Sequence, residues 1–153
     1  MEPRTPKAFG VNCTNVISEI KPQRHREHGN GLHQDLTQQI IGAAIEVHRE
    51  IGPGLLESVY EACLAHELSL RRLPFESQMQ VLVRYKGVQL SSDLRADFIV
   101  DGRVVVELKS VDEILPVHRA QIMTYMRLTE CRVGLLINFN VPQLVNGLER
   151  FAL

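Results

Sequence analysis

The sequence predicts an α/β domain whose elements run ααβββαβα. Three observations carry that prediction: two stretches of helical apolar period before residue 72, a switch to period two after Pro74, and a short, nearly unbroken apolar run at residues 132–139. Leu36, Ile40, Ala44, Val47 and Ile51 lie on one stripe of a helix, with Asp35 or Thr37 available to cap it. Gly52-Pro53-Gly54 ends that helix, since proline cannot continue the hydrogen-bond ladder. A second helix starts near Leu55, its apolar face made by Leu56, Val59, Tyr60, Cys63, Leu64 and Leu68, and it closes around Arg71-Arg72.

Beyond Pro74, Met79, Val81, Val83 and Tyr85 alternate with Gln80, Leu82, Arg84 and Lys86, the pattern of a strand with one buried face. Lys86-Gly87 turns into a short strand at Val88–Leu90. Strands at 94–100 and 104–109 are joined through Asp101-Gly102, a hairpin signal. Pro116 opens a helix over 117–129 that carries Ile122, Met123 and Met126. Residues 132–139 read as a strand covered on both faces, and residues 144–151 as a last short helix.

The 153 residues are 44% hydrophobic and 23% charged, enough for one domain with a core of its own. No apolar stretch approaches the roughly 18–20 residues that span a bilayer, and the N-terminus lacks a signal-peptide core. Cys13, Cys63 and Cys131 give neither a disulfide framework nor a zinc spacing, so a soluble protein of the reducing cytoplasm, without a membrane partner, is expected. Seventeen basic and eighteen acidic residues leave no bulk cationic field, so nucleic-acid contact has to be local. Residues 1–33, with three prolines and the polar run KPQRHREHGNG, read as a flexible arm or linker ahead of a domain at 34–153. His25, His28 and His33 in that arm match no standard metal spacing.

Three charges stand where strands should be apolar: Asp97 within LRADFIV, and Glu107 and Lys109 within VVVELKS. Charges among such neighbours cost stability unless they reach solvent or each other. Glu107 and Lys109, two apart, share a strand face. A two-residue loop at Asp101-Gly102 would send Asp97 and Glu107 to opposite faces, whereas a three-residue loop, Asp101-Gly102-Arg103, places them directly opposite. Two carboxylates and an amine on one patch suit a divalent cation beside a water nucleophile. As a simple exposed ion pair, Glu107 and Lys109 would contribute only about 0–1 kcal/mol.

Asp97 followed by Glu107-x-Lys109 resembles the signature of the PD-(D/E)xK nuclease superfamily, although Ala96 stands where the superfamily name has proline. Gly54-Leu55-Leu56-Glu57-Ser58-Val59-Tyr60 is similar to the motif of the GxxExxY proteins, and Gln121-Ile122-Met123-Thr124-Tyr125 to the QhxxY element of the RecB-like branch. The resemblance covers about Leu36 onwards. It implies a restriction-endonuclease-like core, a mixed sheet flanked by helices, and metal-dependent hydrolysis of nucleic acid, DNA before RNA. It further implies that Glu57, Asp97, Glu107 and the Leu108 carbonyl hold Mg²⁺ or Mn²⁺, with Asp97, Glu107 and Lys109 catalytic. Gln121 and Tyr125, with Tyr60 and Arg119, would support the site or touch nucleic acid. Tyr60 equally reads as core, Glu57 as a first-turn carboxylate favoured by the helix dipole, and Gln121 with Tyr125 as a packed pair. A catalytically silent binding or assembly module in a larger defence or repair complex is the alternative, and a homodimer stays open.

Overall fold

The computed structural model describes residues 31–153, so the expected arm, with His25 and His28, lies outside the described residues except for its last three positions. Helix α1 (Gln34–Ile51) buries Leu36, Thr37, Ile40, Ala43, Ala44 and Val47, while Ile51 at its end faces outward. Neither Asp35 nor Thr37 caps it: the Thr37 hydroxyl donates to the Gln34 carbonyl, and the Gln34 side chain accepts the Gly31 N–H.

Gly52 has φ 69°, a left-handed conformation open to glycine at little cost, and the chain reverses there into α2 (Glu57–Leu70). Tyr60, Leu64 and Leu68, four residues apart, form the buried stripe of α2. Leu56 and Val59, expected on that stripe, are exposed, because Tyr60 is the residue pulled into the core. Its ring stacks on Phe139 at 4.4 Å, and its hydroxyl donates to the Gly52 carbonyl (2.7 Å) while accepting the Leu55 N–H (3.1 Å). One side chain therefore closes the turn that sets where α2 begins.

Strands β1 (Phe75–Gln80), β2 (Val83–Tyr85), β3 (Val88–Leu90), β4 (Arg95–Val100) and β5 (Val104–Lys109) follow, then α3 (Pro116–Thr129), β6 (Val133–Asn138) and β7 (Leu148–Ala152). Five strands form one mixed sheet in the order β1-β4-β5-β6-β7, antiparallel except for the β5/β6 pair, whose parallel connection is the crossover through α3. Helices α1 and α2 cover one face, over Phe98, Val100, Val104, Val106, Leu108, Leu135 and Ile137. Helix α3 covers the other, with Ile122, Tyr125 and Met126 on Ile99, Val105 and Leu136. The mixed sheet flanked by helices is the expected architecture.

Two elements differ from expectation. The strand expected over 79–86 stops at Gln80: the Val81 N–H bonds the Leu94 carbonyl and the Ser92 hydroxyl the Val81 carbonyl, and the chain leaves the sheet beyond them. β2 and β3 then pair only with each other, leaving Tyr85 exposed where a buried face was expected. The final helix over 144–151 is instead a 3-10 turn (Leu144–Gly147) followed by strand β7. Leu144, Leu148 and Phe151 have the i, i+4, i+7 spacing of a helix, but β7 satisfies backbone groups that β6 would otherwise leave open along the sheet edge, and Leu148 and Phe151 pack on opposite faces.

Candidate active site

Val100 pairs with Val104, so the hairpin loop is the three-residue Asp101-Gly102-Arg103 that the site required. The backbone pairs between β4 and β5 end at Phe98 and Val106; one step further, the same register sets Asp97 opposite Glu107. There the Asp97 carboxylate replaces the ladder, its Oδ2 accepting the Leu108 N–H at 2.8 Å. Lys109 Nζ donates to Glu107 Oε1 at 3.0 Å and stands 4.0 Å from Glu57 Oε1 at the start of α2. The structure thus brings Asp97, Glu107, Lys109 and Glu57 to one end of the sheet, with Leu108 between them.

Neighbouring bonds hold these elements in place. The Ser110 hydroxyl donates to the Leu55 carbonyl at 2.6 Å, tying the end of β5 to the turn before Glu57. The buried Asn138 pairs with Lys109 in the parallel register, and its amide both accepts the Val111 N–H and donates to the Val111 carbonyl. The chain leaving Lys109 is therefore fastened on both sides.

Electrostatics set the site apart from a surface ion pair. Glu107 is 2% exposed, and burial, together with the neighbouring Asp97 charge, pushes its carboxyl up to about 7 against the pull of Lys109. Burial also raises Asp97, only partly offset by the Leu108 N–H and Lys109. Burial works to lower Lys109, but Glu107, through charge and hydrogen bond, and then Glu57 and Asp97 outweigh it and hold the ammonium above its ordinary range. Glu107 Oε2 is buried with no hydrogen-bond partner.

Among the described residues no group of three or more His, Cys, Asp and Glu side chains is gathered closely enough to hold a metal ion. Two carboxylates are nevertheless in place, and the buried, unpartnered Oε2 of Glu107 beside the Asp97 charge is an arrangement that a hard divalent cation would satisfy. The residues present fit such an ion.

Among the described residues, no hydrogen bond or ion pair joins the remaining expected residues directly to this cluster. Gln121 donates to the Tyr125 hydroxyl at 3.1 Å, and Tyr125 is buried in the core under α3. Arg119 makes two 2.7 Å hydrogen bonds to Glu149 on β7, so its guanidinium is already engaged. Tyr60 serves the site from beneath, through the turn before Glu57. Two residues not expected from sequence join the cluster: Gln78 Nε2 donates to Asp97 Oδ1 (3.3 Å) and to Glu61 Oε1 (2.8 Å). Glu61 was within reach of sequence reasoning, one helical turn after Glu57. Gln78 carried no such signal.

A family model described as the PD-(D/E)XK nuclease superfamily matches residues 34–151. No curated protein and no solved structure matches the chain significantly.

Proposed function

Because the chain belongs to the PD-(D/E)XK nuclease superfamily, we propose that it is a nuclease that hydrolyses phosphodiester bonds, in DNA before RNA, with Mg²⁺ or Mn²⁺ bound. Within the superfamily, Gly54 to Tyr60 and Gln121 to Tyr125 favour the GxxExxY proteins and the RecB-like branch, acting in the cytoplasm. The observation that carries the reading is the buried Asp97/Glu107/Lys109 cluster with an oxygen of Glu107 left without a partner. A catalytically idle sheet has no use for such a cluster, which costs stability.

When bound, the divalent ion polarises the scissile phosphate and acidifies a water. Asp97 and Glu107 would hold it, with Glu57 and the Leu108 carbonyl as the further oxygens the family implies. Lys109 stays cationic at neutral pH, so its part is to orient the attacking water and offset the charge gathering on the phosphate, not to remove a proton. The Glu107–Lys109 bond sets the direction of that ammonium.

Cleavage of labelled single- and double-stranded DNA and RNA, with Mg²⁺, Mn²⁺ or EDTA, tests this in the native protein, Glu107→Ala and Lys109→Ala, each shown to be folded. Metal-dependent cutting is expected, reduced about 100-fold or more in both variants. The second reading, a silent module working as a homodimer or within a larger complex, is favoured by the absence, among the described residues, of any group of three His, Cys, Asp or Glu side chains gathered closely enough to hold a metal ion. Absence of cutting on every substrate together with absence of Mn²⁺ binding by calorimetry would establish that reading instead.

A further inference from the structure

Gln78 has φ 52°, left-handed for a residue with a β-carbon, in the middle of β1 and at the register position opposite Asp97. The β1/β4 pairing runs through Ser77/Phe98 and Met79/Ala96 and lapses between them. Ala96 and Phe98, two residues apart, pack into the cores on opposite faces, so the side-chain alternation breaks at Asp97. This kink is built, not frayed. The Gln78 carbonyl accepts a hydrogen bond from Arg95 at 3.2 Å, and its amide nitrogen spans the Asp97 and Glu61 carboxylates. Two carboxylates can only accept, so they face the NH₂ end of the amide and fix its orientation.

We propose that Gln78 is a positioning residue for Asp97, anchored by Glu61 and Arg95. Asp97 then has both oxygens engaged, Oδ1 by Gln78 and Oδ2 by the Leu108 N–H, and its carboxylate plane is set before any cation arrives. Strained backbone conformations persist where surrounding groups over-determine them, and here three side chains do so. The charged groups around the pair are Glu57 and Glu61 from α2, Arg95 from β4, and Glu107 and Lys109 from β5. The effect on cation binding rests on the nuclease reading, whereas the orientation of Asp97 does not.

Gln78→Gly is the discriminating variant, since glycine accepts φ 52° without strain and so the side chain with its amide is lost while the backbone conformation stays open; Glu61→Gln removes the anchor. In both, the Leu108 amide proton, observed by NMR without metal, is expected to change chemical shift and exchange faster. Mn²⁺ affinity by calorimetry is expected to fall about 10-fold, the scale of losing a residue that orients a ligand, and kcat to fall while KM for nucleic acid holds. An unchanged Leu108 amide in Gln78→Gly overturns the proposal, whatever happens to Mn²⁺ affinity, because Gln78 would then not act through Asp97. A shifted Leu108 amide in a protein whose native form neither binds Mn²⁺ nor cuts would overturn the nuclease reading and leave the positioning role standing.

Discussion

Glu107 is the residue at which the proposed function and stability pull in opposite directions. Its carboxyl titrates at about 7 in the folded chain against 4.5 for an unperturbed glutamate. A folded pKa above the unfolded one makes its stabilising contribution complete below about pH 4.5 and lost as pH rises through about 7. The difference corresponds to about 3 kcal/mol at 1.36 kcal/mol per unit. Thermal melts in EDTA should therefore show the native protein losing stability between those pH values. Glu107→Gln should flatten that slope, melting several degrees above the native protein at pH 8 and level with it at pH 4.5. Equal slopes in the two proteins would show that the Glu107 charge is not burdened by burial. The three charges were legible in sequence because each interrupts an apolar strand, but the register was not, since two- and three-residue loops were both open and only the pairing of Val100 with Val104 decides between them. Gln78 was not legible: nothing local asks a glutamine for a left-handed backbone, which here is imposed by Arg95, Asp97 and Glu61 from other elements.

At the scale of elements, helices with a dense apolar stripe and strands flanked by turn residues read correctly, while elements decided by a neighbour's edge did not. Residues 148–152 became a strand because β6 offered unpaired backbone groups, information that lies some ten residues away in the chain. The same segment shows how closely it is fitted. A β-carbon on Gly147 would lie 2.2 Å from the Asn138 carbonyl oxygen, a backbone atom at the end of β6. Gly147→Ala is expected to cost about 3 kcal/mol, because only backbone movement can relieve the overlap. At Gly134 the nearest atom is Met126 Sδ at 2.6 Å, the far end of a flexible side chain, so Gly134→Ala should cost about 1 kcal/mol. Urea melts of the two variants decide it, and equal losses would contradict the tight approach at Gly147.

Across the whole molecule, the site joins elements from both layers: Glu57 and Glu61 come from a helix on one face, and Asp97, Glu107 and Lys109 from two central strands. A ligand bound there should stabilise the entire fold. Mn²⁺ at about 100 times its dissociation constant should add about 2.7 kcal/mol, seen as a rise in melting temperature that EDTA reverses and that an Asp97→Asn/Glu107→Gln double variant lacks. An equal rise in the double variant would place the ion elsewhere. The parallel pairing of β5 with β6 also orders events in time. β5 lies between β4 and β6, and its partner on the second side is reached only through the crossover that includes α3. During synthesis, a chain that has just emerged through Lys109 has its acidic residues in hand but no neighbour to hold β5 from that side. The strand bearing Glu107 and Lys109 is enclosed only when residues 133–138 have been made, so a partly made chain carries the candidate site unfinished.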